Sequence, residues 1–98
     1  MPWKEKIVEQ YGQEYVFRQL AEESAELTQA TLKMVRVMHD ETPVRWQEAQ
    51  EHLLEEIADV RIMTDMLADH VLTPEARLKI EAIRAQKEKR MRERMLEE

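Results

Sequence analysis

The chain has 98 residues, 15 of them basic and 21 acidic, for a formal net charge of −6, and it contains no cysteine. That length suits one domain with a modest core, and the missing cysteine excludes disulfides and thiol chemistry. An acidic body repels phosphate, which disfavours non-specific duplex binding, and no duplex nucleic acid partner is expected.

One Gly, three Pro and an excess of Glu, Leu, Ala, Arg and Met predict an all-α single domain over residues 1–98. The expected architecture is four-helix bundle-like, a short N-terminal helix plus three longer helices, completed by oligomerisation. Pro2 opens the first helix, which runs through Ile7 and Val8 to a stop at Gly12. The start Met1 to Gln10 has no apolar run suited to a signal peptide, and no segment reaches membrane-spanning length, so a cytoplasmic protein is expected.

A long second helix is predicted from about Gln13 to His39, with Leu20, Leu27, Thr31, Met34 and Met38 on one stripe. Asp40 to Pro43 form the next turn, Thr42 as N-cap and Pro43 as first helical residue. The third helix reaches about Val71, with Trp46, Ala49, Leu53, Ile57, Val60, Thr64 and Leu67 along its stripe and Met63 and Met66 as gap-filling core. Thr73-Pro74 repeats the cap-and-proline device, and a fourth helix follows to near the end, fraying at Glu97 and Glu98. Its apolar residues are too irregularly spaced for a coiled coil, which predicts packing on the domain. Only two copies of the internal pattern exist, so a solenoid is excluded.

The pattern that recurs is Leu20-Ala21-Glu22-Glu23-Ser24-Ala25-Glu26-Leu27 and Leu53-Leu54-Glu55-Glu56-Ile57-Ala58-Asp59-Val60. At about 100° per residue, each copy sets an acidic pair, Glu23 with Glu26 and Glu56 with Asp59, on the flank of an apolar stripe. If the stripes pack antiparallel, four carboxylates converge. Like charges brought out of bulk water take up protons or share a cation. Oxygen-only ligands favour Mg²⁺ first and Mn²⁺ second. Spacing alone leaves a metal site and a solvated acidic flank both open. Glu22 lies one turn before Glu26 and within about 40° of it, a candidate to orient or deprotonate water. No His has the Glu-x-x-His spacing of a di-iron bundle, and each His reads as a surface or helix-end residue. A phosphate loop and a nucleophile elbow are absent from the sequence.

Glu22-Glu23-x-x-Glu26 followed by Glu56-x-x-Asp59, with the flanks LAEESAELTQA and LLEEIADVRIM, resembles the MazG-like all-α nucleoside triphosphate pyrophosphohydrolases over roughly residues 13 to 70. The resemblance implies a Mg²⁺ site from Glu23, Glu26, Glu56 and Asp59. It also implies hydrolysis between the α- and β-phosphates of a nucleoside triphosphate. A triphosphate needs more positive charge than one Mg²⁺ supplies, and Lys87-x-x-Arg90-x-x-x-Arg94 resembles the family's downstream basic pattern, which nominates Lys87 and Arg90 as phosphate contacts. The family's assemblies imply a homodimer or homotetramer. Two alternatives stand beside this one: a phosphoribosyl-ATP type pyrophosphatase, whose second motif continues with a His that Val60 to Met63 lack, and a non-enzymatic helical interaction module.

Overall fold

The computed structural model describes residues 3–96, so the expectations placed on Pro2, Glu97 and Glu98 lie outside the described residues. Four helices follow one another: α1 Trp3–Tyr11, α2 Gln13–Met38, α3 Trp46–His70 and α4 Pro74–Leu96. Among the described residues there is no strand, and no helix is long and apolar enough to cross a membrane.

The joints follow from a few residues. Gly12 separates α1 from α2 with φ 89 and ψ 169, a backbone conformation that side chains with a Cβ rarely adopt. Its amide still closes the last turn of α1 on the Val8 carbonyl at 2.8 Å. The end of α2 is a Schellman turn: the Glu41 amide donates to the Arg36 carbonyl at 2.9 Å and the Asp40 amide to that of Val37 at 3.2 Å. Asp40 takes the left-handed position, φ 54, usually held by glycine. Thr73 caps α4 as predicted, its hydroxyl accepting the Ala76 amide at 3.1 Å.

Thr42 does not cap α3. Its hydroxyl accepts the Val44 amide at 3.4 Å, a local turn that competes with capping, and Arg45 is still extended at φ −76 and ψ 152. The helix therefore starts at Trp46 with no side-chain cap.

The long helices α2 and α3 pack along most of their length, and α1 lies across both. Val16, Met63 and Met66 form the buried cluster, with Ile7, Val8, Leu20, Leu67 and Val71 around it. The buried line meets the predicted stripes in part: Met34 and Ala49 are buried, as are the expected gap-fillers Met63 and Met66, whereas Thr31, Met38, Trp46 and Thr64 are exposed and Val16 and Ala30 are buried off the stripes. On α2 the inner positions Val16, Glu23, Ala30 and Val37 recur every seven residues, and on α3 so do Ala49, Glu56, Met63 and His70. This is the spacing of two helices that stay in contact over several turns.

The bundle is not closed by α4. That helix touches only α3, near their shared turn, and buries none of its residues. The reason lies in its text: charged residues alternate so densely with Leu78, Ile80, Ile83, Met91 and Met95 that no continuous apolar stripe forms. The radius of gyration is 17.2 Å, with extents of 47 × 40 × 19 Å. A compact chain of this length would have a radius of about 13 Å. The chain is a flat helical plate with an arm.

Replacing Asp40 by Gly removes a Cβ from the left-handed position and a negative charge from the negative end of the α2 dipole. Against the entropy that glycine adds to the unfolded chain, a net gain of about 0.5–1 kcal/mol is expected in urea unfolding of Asp40→Gly.

Candidate metal centre

The antiparallel register of α2 on α3 decides what meets what. Val16 shares a cluster with Met63, and the same register sets Glu23 against Glu56 and Ala30 against Ala49. Glu23 and Glu56 thus lie on the helix–helix seam, where the sequence pattern had placed them on its flank. A layer of Val and Met closes one side, and a layer of two alanines, each 1% exposed, closes the other. Small alanines let the helices approach closely, so the acidic layer between them is squeezed out of water.

One carboxylate oxygen each from Glu23, Glu56 and Asp59 lies within 4.8 Å of the others. Glu56 is buried, and Glu23 and Asp59 are half-buried. Glu26, one turn on from Glu23, is exposed at the rim, yet its charge acts on both Glu23 and Glu56. Three of the four predicted carboxylates therefore converge, and the fourth borders them.

The electrostatics follow from this packing. Burial raises the Glu23 pKa above the ordinary carboxylate value, and repulsion from Glu26, Asp59 and Glu56 raises it further. Burial likewise raises that of Glu56, helped by Glu26 and Asp59, while His52 opposes the shift. Once protonated, either carboxyl can donate to Glu26. Glu23 Oε2 and Glu56 Oε2 are buried with no hydrogen-bond partner. Two unpartnered buried oxygens in a group of like charges are costly unless a proton or a cation joins them.

An oxygen-only group of this kind is one that can hold a metal ion, its three ligand atoms coming from Glu23, Glu56 and Asp59.

His52 is a participant that spacing arguments missed. Its Nε2 lies 3.3 Å from Glu56 Oε1, so the imidazole engages one carboxylate oxygen while the other stays buried without a partner. A Glu-x-x-His spacing does not include it, because it stands four residues before Glu56, the other distance that brings side chains together on a helix. The remaining histidines are at helix ends, His39 as the C-cap of α2 and His70 as the last residue of α3.

Glu22 is exposed, and its Oε2 accepts a hydrogen bond from Gln19 Nε2 at 3.4 Å. Lys87 and Arg90 are on the exposed part of α4, Lys87 beside an apolar groove with Ile80, Ile83 and Met91. Among the described residues, no hydrogen bond or ion pair joins either of them to the acidic group. None of the protein-family models, curated proteins or solved structures compared with the chain matches it.

Without metal, the raised pKa values of Glu23 and Glu56 make folding bind protons. Their contribution to stability is complete below the unfolded carboxylate value and is lost as pH rises through the folded values. The metal-free protein should melt at a higher temperature in mild acid than at neutral pH. Glu23→Gln should flatten that slope and raise the neutral-pH melting temperature, because it removes a buried charge among like charges. Thermal melts in EDTA across this pH range measure both.

Proposed function

We propose that the protein is a Mg²⁺-dependent nucleoside triphosphate pyrophosphohydrolase that cleaves between the α- and β-phosphates, releasing a nucleoside monophosphate and pyrophosphate. The observation that carries this reading is the pair of buried, unpartnered oxygens, Glu23 Oε2 and Glu56 Oε2, within a group of three convergent carboxylates. The choice of bond and substrate is supported by the resemblance of Glu22-Glu23-x-x-Glu26 and Glu56-x-x-Asp59 to the MazG-like motifs.

In this reading Glu23, Glu56 and Asp59, with Glu26 at the rim, hold Mg²⁺, for which Mn²⁺ substitutes. Bound there, the ion supplies charge neutralisation for the phosphates and acidifies water. His52 holds one oxygen of Glu56 and so fixes the carboxylate. Glu22, on the open side, takes a proton from water as its oxygen attacks the α-phosphorus, and the bond from that phosphorus to the bridging oxygen breaks. Pyrophosphate leaves with the bridging oxygen. Lys87 and Arg90 supply the further positive charge that a triphosphate needs. The protein works as a cytoplasmic homodimer or homotetramer, since its own core is small.

Pyrophosphate release from a panel of nucleoside triphosphates and phosphoribosyl-ATP, with Mg²⁺ or Mn²⁺, tests the reading. Glu56→Gln should lower turnover by ~100-fold or more with helicity intact. Absence of pyrophosphate from every nucleotide, or near-normal turnover in Glu56→Gln, would overturn it.

A second expected outcome needs no substrate. Mg²⁺ at about 100 times its dissociation constant should stabilise the native protein by about 2.7 kcal/mol at neutral pH. The gain should shrink in acid, where protons compete for the same oxygens, and vanish in Glu56→Gln. Thermal melts with Mg²⁺ and with EDTA measure it.

A further inference from the structure

The acidic group occupies one side of the α2–α3 pair. Glu26 stands about 60° round α2 from Glu23, and Asp59 about 60° round α3 from Glu56, in the same rotational sense. The two helices run antiparallel, so equal angles of the same sense fall on the same side of the pair. In that sense Lys33 stands about 80° from Glu23 and Glu22 about 100°. Arg18 and Arg36 stand about 140° round, and Arg61, the one Lys or Arg of α3, stands about 140° from Glu56 in the opposite sense. Lys33 is therefore the only Lys or Arg that either helix places on the side of the acidic group within about 120° of the seam.

Its setting is unusual for a lysine in an acidic chain. Asp and Glu number 21, yet among the described residues none of them forms an ion pair with Lys33. The residue is half-buried, as its place on the shoulder of the seam requires: the stem lies along the helix pair and the ammonium stays in water. Side chains on a helix lean toward its N-terminus, which for Lys33 is the direction of Glu26. Seven residues rise about 10 Å and a lysine stem spans about 6 Å, so the ammonium can come within about 5 Å of the level of Glu26.

We infer that Lys33 is a pyrophosphate contact: it holds the two terminal phosphates of the substrate and stabilises them as they leave, a role that rests on the hydrolysis proposed above. Two observations select this part of the substrate. Along α2, Glu22 stands four residues before Glu26 and Lys33 seven after it, so the two lie at opposite ends of the acidic group. An in-line displacement needs the attacking and leaving oxygens on opposite sides of phosphorus. With water giving its proton to Glu22 as its oxygen bonds to the α-phosphorus, the bridging oxygen departs toward Lys33. The electron pair of the broken bond stays on that oxygen, and the ammonium offsets its charge.

The second observation is which end of this side is open. Met66 lies on the same side as Asp59, about 80° round α3 from Glu56, and is only 3% exposed because α1 packs over it through Ile7 and Val8. That closes the side toward the start of α2. Toward Lys33 no helix crosses the pair, since α4 touches only α3 near their shared turn. A polyphosphate tail leaving the acidic group therefore runs toward the lysine.

The experiment uses the full chain with Mg²⁺ and reads binding apart from turnover. In calorimetric titrations inorganic pyrophosphate should bind Lys33→Gln ~10-fold or more weakly than the wild-type protein, while affinity for a nucleoside monophosphate changes by less than about twofold. Lys33→Arg keeps the charge and should recover most of the pyrophosphate affinity. Arg36→Gln removes a charge three residues on and about 60° round, and should bind pyrophosphate as the wild type does. With a nucleoside triphosphate, Lys33→Gln should lower kcat by ~100-fold and KM should move far less, because the charge it meets grows as the bond breaks. A lysine that only covers the seam would behave in the opposite way, lowering the melting temperature on substitution and leaving pyrophosphate affinity alone. Unchanged pyrophosphate affinity in Lys33→Gln, an equal loss in Arg36→Gln, or a wild-type protein that binds no pyrophosphate would each overturn the inference. Pyrophosphate binding that depends on Lys33, without turnover of any nucleotide, would overturn the hydrolysis and still support the contact.

Discussion

Two glutamates facing one another across a helix–helix seam are the constraint on which the rest of this structure turns. Glu23 and Glu56 occupy positions that their helices otherwise give to apolar residues, Val16 and Ala30 on α2, Ala49 and Met63 on α3. Withdrawing carboxylates from water is costly unless something compensates. Both pKa values are raised, by burial first and by the neighbouring acids second, and each residue keeps one buried oxygen without a partner. Packing this close around unpaired like charges destabilises the seam unless a proton or a cation joins it.

The surroundings of the seam are organised accordingly. The alanine layer of Ala30 and Ala49 draws the helices together on one side, and the Val16, Met63 and Met66 cluster anchors them on the other. His52 engages one oxygen of Glu56 at 3.3 Å, and the other is buried without a partner. Asp59 and Glu26 sit one turn beyond the seam pair and define the open side, where Glu22 also lies. A rigid pair of helices is a good base for such a site, since ligand positions then depend on packing and not on loops.

The flatness of the molecule has the same origin. With α1 across one side of the α2–α3 pair and α4 extending away, the chain gathers too little apolar surface to close a second layer, and the smallest extent stays at 19 Å. The side of α2 and α3 away from the acidic group leaves Phe17, Leu32, Val35 and Leu54 exposed, and α4 buries none of its residues.

Much was decided by the sequence by itself. The single Gly and the Thr73-Pro74 pair mark joints that local backbone chemistry enforces wherever the chain goes, and Gln13 to Met38 forms a helix because its residues favour one throughout. The repeated acidic pattern likewise named Glu23, Glu26, Glu56 and Asp59 as residues that would meet, because i and i+3 spacing on two similarly phased helices is a property of the text, and three of the four do, Glu26 staying exposed at the rim. Tertiary structure decided the depth of that meeting. Whether an acidic residue lies on a flank or on a seam depends on which way each helix is rotated, and that rotation is set by Ala30, Ala49 and the Val16–Met63 contact together, none of which is informative in its own segment. The same holds for His52, whose partner is obvious only once Glu56 is known to be buried. For Trp46, Thr31 and Met38, the predicted stripes failed because a helix with two apolar faces offers two ways to pack, and only the partner helix chooses between them. The fate of α4 was beyond local reasoning for the opposite reason: its helical propensity is strong, but a helix without a continuous apolar stripe carries no instruction about what it should touch.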